Sequence, residues 1–160
     1  MENLQAFFAA SVGASAAFTG LLFVAVTLAP ERVFGLEAHP KKRADATRAF
    51  VALANLFFVS LAALIPGEGL SVMLAISLLS IVQLLRETRS AARIYPLRDV
   101  IVSYGLAPFG IYIAQFILIL LIDMGKPAID GLLYVIIALY VFALTVAWRL
   151  VSSHDEALKR

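Results

Sequence analysis

Hydrophobic positions in this chain come in long blocks, separated by short segments that hold nearly all the charge. Five runs carry no charged residue: Asn3–Pro30, Ala49–Gly67, Gly69–Leu85, Val100–Ile122 and Gly131–Trp148. The last four are 19, 17, 23 and 18 residues long and the first is longer still. A helix of roughly 20 apolar residues spans the hydrocarbon core of a bilayer. The pattern therefore predicts an all-α integral membrane bundle of five transmembrane helices, at about 4–29, 45–65, 69–92, 99–123 and 129–151. The second and third are separated only by Pro66-Gly67-Glu68-Gly69. Proline, two glycines and a charge break a helix, and so short a turn implies an antiparallel hairpin.

Composition supports a lipid environment. The chain has 160 residues, 62% of them hydrophobic and 15% charged. Soluble domains are roughly 45–50% apolar and about 25% charged, so a soluble core has no room for this much apolar surface. Residues 1–160 read as one transmembrane domain, without a repeat or a segment long enough for a separate soluble domain. A cleaved leader is not expected. The N-terminal flank holds Glu2 instead of a basic region, and the strongest apolar run, Gly20–Leu28, follows the cleavage-like Ala14-Ser15-Ala16.

Charge sets the expected orientation. Twelve of the 13 basic residues fall in the first loop, the third loop or the C-terminal end, and Lys126 is the exception. By the positive-inside rule the N-terminus is outside and the C-terminus cytoplasmic, as expected for a multi-pass protein of the plasma (inner) membrane. Glu2, Glu68, Asp123 and Asp130 then form an acidic outer face. Arg86, Arg89 and Arg93 share an inner helix face suited to anionic lipid head groups. Trp148 and Tyr134 are expected as interfacial anchors.

Candidate chemistry is sparse. There is no cysteine, and neither His39 nor His154 has a metal-ligand neighbour at helical spacing. No phosphate loop, paired intramembrane carboxylates or Ser/His/Asp set is present, so no enzyme, cofactor or metal is expected. No ionisable residue is expected at membrane depth, which argues against a proton-coupled pump.

Uncharged polar residues are placed more suggestively. In the first helix Ser11, Ser15 and Thr19 recur every fourth residue, within an arc of about 80° that also holds Phe8, Phe18 and Leu22. The opposite face, including Ala9, Gly13, Ala17 and Gly20, has the small-xxx-small spacing that allows close helix packing. The hydroxyl stripe either lines water or bonds to carbonyls and neighbouring helices. Asn55 must face protein or water, as a pathway residue or as a bond between helices. Ser77, Ser80 and Gln83 step along the third helix toward other helices or an inner vestibule. Pro108, within Tyr104-Gly105-Leu106-Ala107-Pro108-Phe109-Gly110, predicts a kink beside a crevice holding Tyr104 and Gln115.

The stretch Gly13-Ala14-Ser15-Ala16-Ala17-Phe18-Thr19-Gly20-Leu21-Leu22-Phe23-Val24-Ala25-Val26 resembles the first helix of a family of small bacterial multi-spanning membrane proteins of uncharacterised activity. It is also loosely similar to the pore helix of calcium-release-activated channels. Those have four spans and a cytoplasmic N-terminus, so no residue role carries over.

These readings lead first to a homo-oligomeric, cyclic channel or pore. Its first helix would lie near the pathway, Ser11, Ser15, Thr19, Asn55 and Gln115 would line it, and the outer acids would concentrate cations. The alternatives are a non-conducting accessory protein acting through helix contacts, and a small-molecule or lipid transporter using the Pro108 kink. Nucleic acid is not an expected partner.

Overall fold

A computed structural model describes residues 2–28, 40–92 and 106–152. They form five helices: α1 (Glu2–Leu28), α2 (Pro40–Ala63), α3 (Gly69–Ala91), α4 (Leu106–Asp123) and α5 (Ile129–Ser152). Among the described residues there is no strand. α1, α2, α3 and α5 contain stretches long and apolar enough to cross a membrane, and α4 carries a shorter apolar stretch, Pro108–Asp123.

The connections follow from local chemistry. α2 ends where Leu64 and Ile65 donate back to Leu61 and Ala62. α3 starts at Gly69, where a Cβ would collide with the carbonyl oxygen of Ala62, so this tight hairpin requires glycine. α4 closes on Gly125, which has a φ of +75°. Gly125 N–H donates to Ile122 and Lys126 N–H to Leu121, the paired bonds of a glycine-terminated helix, and Pro127 prevents continuation.

Packing is organised around α2, which touches α1, α3 and α5, while α4 closes a four-helix ring between α3 and α5. α1 lies outside that ring. Buried positions advance by alternating steps of three and four residues. They are Met73, Ser77, Ser80 and Leu84 in α3, Pro108, Tyr112, Gln115 and Ile119 in α4, and Leu132, Ile136, Leu139, Ala143 and Val146 in α5. That 3.5-residue period keeps one seam facing the bundle interior. α2 has two such seams. Arg48, Ala52, Asn55, Val59 and Ala62 form one, and Ala46, Ala49, Leu53, Leu56 and Ser60 the other. Four alanines on these seams let neighbouring backbones come close.

Pro108 falls in the first turn of α4. There its missing N–H is one the described helix would leave unpaired anyway, and the residues before Leu106, on the far side of the expected kink, lie outside the described residues. The expected start of this span at 99, and Tyr104, lie outside the described residues, as do Arg93, His39 and His154.

Candidate functional site

Polar side chains inside the bundle form three groups, stacked from the α1 contact to the charged end. The first joins α1 to α2 and α5. Ser11 and Ser15 are buried, and Thr19 is half-buried. The Ser11 hydroxyl lies 2.7 Å from that of Ser60 and 3.0 Å from Tyr140 Oη. Tyr140 donates to the Ser11 carbonyl at 2.5 Å. Ser15 donates to the same carbonyl at 2.7 Å, and Thr19 to that of Ser15 at 2.7 Å. The Phe18 ring meets the Tyr140 ring edge-on. Within the chain the hydroxyl stripe is thus α1's inner face. Ala9, Gly13, Ala17 and Gly20 lie on the exposed side.

The second group lies between α2, α3 and α4. Asn55 Nδ2 donates to Ser80 Oγ at 2.7 Å, and Gln115 Nε2 to Ser77 Oγ at 3.2 Å. Each serine donates in turn to a carbonyl one turn earlier, Ile76 for Ser80 and Met73 for Ser77. The carbonyl oxygens Asn55 Oδ1 and Gln115 Oε1 are buried with no hydrogen-bond partner. Such an acceptor costs about 1–3 kcal/mol of desolvation. Gln83, expected to continue this row, is exposed.

The third group closes the end of the ring. Arg48 approaches Asp45 at 3.5 Å and Glu87 at 3.9 Å, and Arg149 approaches Asp45 at 3.5 Å. This chain of ion pairs ties α2 to α3 and α5. Beside it Arg48, Glu87, Tyr112 and Pro108 border a cavity of about 10 Å³, room for one water. Sequence reading did not single this group out as a cluster, although its residues fall within the expected helices 45–65, 69–92 and 129–151. Asp45 and Arg48 lie in the apolar stretch Ala44–Ala63 and Glu87 in Gly69–Arg89, all three at the ends of those stretches. The signal was in the sequence. Asp45 and Arg48 stand at i, i+3, and Glu87 interrupts Arg86 and Arg89. Read as flanks, these residues looked like loop charge. Ser60 and Tyr140, which complete the α1 contact, carried no distinctive spacing.

At the opposite end Glu2, Glu68, Asp123 and Asp130 are exposed at helix ends or in the α2–α3 turn, with Lys126 nearby in sequence. Arg86 and Arg89 are exposed on the last turns of α3. Trp148 and Tyr134 are exposed too. Among the described residues no three His, Cys, Asp or Glu side chains converge as metal ligands. No protein-family model, no curated protein and no solved structure matches the chain.

Proposed function

We propose that this protein is a non-conducting, self-associating membrane protein that acts through helix contacts made by the outward face of α1. It would sit in the plasma membrane with the acidic end outside and the basic end in the cytoplasm, since positive charge is retained there. The observation that carries the reading is the set of hydrogen bonds made by Ser11. They turn the hydroxyl stripe toward Ser60 and Tyr140 and leave Ala9, Gly13, Ala17 and Gly20 outward. In lipid no hydrophobic force drives helices together, and association depends on close packing of small residues and on polar contacts. A second copy presenting the same face is the simplest partner, in a closed cyclic arrangement.

The test uses Gly13→Leu. A Cβ at Gly13 meets nothing within 4 Å, so the protomer tolerates the change. Fluorescence transfer between labelled copies in vesicles is expected to fall to the level of random mixing in the variant. Unchanged transfer would remove the reading.

One observation favours the channel reading, the gathering of the four acids at one end. With the hydroxyls engaged inside each protomer, a pore on a symmetry axis beside α1 would be lined by alanine and glycine. Ion flux in liposomes above that of empty vesicles, abolished by neutralising Glu68 and Asp123, would establish the channel and displace the first reading.

A further inference from the structure

Beyond the level of Tyr140, α1 and α5 leave a groove of about 620 Å³ between them. Phe18, Leu22 and Ala25 form one wall, Leu144 and Trp148 the other, and Leu53 of α2 the floor. The ring contact between Phe18 and Tyr140 closes its upper end. The groove offers almost no polar chemistry. Its lone hydroxyl, on Thr145, already donates to the Val141 carbonyl at 2.7 Å. A hydrocarbon is the chemistry such a lining fits, and the volume is in the range of a small-ligand pocket.

The lower end of the groove is basic. Trp148 is followed by Arg149, which is about half exposed (47%). Lys41, Lys42 and Arg43 occupy the first turn of α2 at the same end of the bundle. Arg48 and Arg149 balance Asp45 and Glu87 there, and Lys41, Lys42, Arg43, Arg86 and Arg89 leave positive charge in excess at this end of the chain's helices. Basic residues at membrane level attract anionic lipid heads.

We propose that this groove is a binding site for one acyl chain of an anionic phospholipid, with its head group held at Arg149. The inference rests on the membrane reading above, although it does not depend on self-association. It differs from the lipid contact expected at Arg86 and Arg89, which lie on α3, a helix that contributes nothing to the groove.

Trp148, the chain's single tryptophan, lines the groove and reports on it directly. The full chain is reconstituted into vesicles in which a minority of lipids carry brominated acyl chains, on either phosphatidylglycerol or phosphatidylcholine. Quenching is expected at about fivefold lower mole fraction for the anionic lipid, the effect of one cationic side chain at the membrane surface. About 1 M salt is expected to remove that preference by screening. Ala25→Phe fills the groove from an exposed position, so folding, checked by circular dichroism, is retained and the preference disappears. Equal quenching by the two lipids overturns the proposal, as does a preference that survives Ala25→Phe. A disulfide cross-link between copies through Ala25→Cys, with Trp148 shielded from both lipids, also overturns it and assigns the groove to a second copy. Flotation with vesicles after carbonate washing tests the membrane reading separately. If the protein floats and quenching is equal, only the lipid site fails.

Discussion

α1 and α2 are both long apolar helices, yet they occupy opposite situations. In α2's apolar stretch 56% of the residues are buried, against 17% in α1's. Both helices are rich in small residues and both carry polar side chains. They differ in where the small residues point. α2 places Ala46, Ala49, Ala52 and Ala62 on two inward seams, so three helices pack against it. α1 turns its alanines and glycines outward and makes its one inward seam from Phe8, Ser11, Ser15 and Leu22. Among these apolar helices, therefore, hydropathy does not rank burial. Small residues permit close approach, and the polar bonds choose the face that uses it.

The largest expected effect breaks the hub. Arg48→Leu leaves the half-buried Glu87 without its cation and Asp45 with Arg149 alone, and the loss is expected to reach about 3 kcal/mol, the lower end for breaking a buried pair. Denaturant titration in detergent micelles is expected to show that loss, and a change below about 1 kcal/mol would mean the pairs are solvated as at a surface. Next comes the contrast in alanines. Ala49→Leu overpacks a fully buried position and is expected to cost about 1–3 kcal/mol. In protein diluted to monomers in detergent, Ala17→Leu on α1 should stay within about 0.5 kcal/mol, as for a surface change within one chain. Thermal melts of the two variants compare the faces directly, and equal losses would refute the inside–outside difference.

Smaller effects sharpen how α1 is attached. Ser60→Ala removes one interhelical bond to Ser11, worth about 0.6 kcal/mol on average within membranes. Hydrogen exchange in α1 is expected to rise while the ring of α2–α5 stays protected. Uniform loosening of all five helices would show that α1 is part of the same cooperative unit. Smallest of all, Gln115→Met removes an unpartnered buried acceptor together with its bond to Ser77. Replacing such a group with an apolar one of similar shape is expected to leave the melting temperature nearly unchanged. A large drop would give Gln115 a polar partner important to the fold.

Much of the architecture was legible. The charge-free runs located the five helices of the described residues, and the Pro66–Gly69 break fell where the α2–α3 turn lies. Each run is a local property, and helix ends depend on a few neighbouring residues such as Gly125. The polar site was legible in part. Ser11, Ser15, Asn55 and Gln115 stood out as intramembrane polar residues, and all four are buried. Their partners did not stand out. Ser60 and Tyr140 lie 49 and 129 positions from Ser11, and nothing local marks such a pair. The ion pairs of Asp45, Arg48, Glu87 and Arg149 looked like loop charge for the same reason.

By itself the sequence determined where the five described helices lie to within several residues, and which segments carry positive charge. These follow from apolar run length, breaker residues and charge, each readable in one short window. Only the tertiary structure decided that α2 is the hub, that α1 packs through its hydroxyls, and that four charges close one end of the ring. The reason is that four of the helices are long and apolar enough to span a membrane, so burial cannot be inferred from hydropathy. Which faces meet depends on shape and hydrogen bonds between residues far apart in the chain.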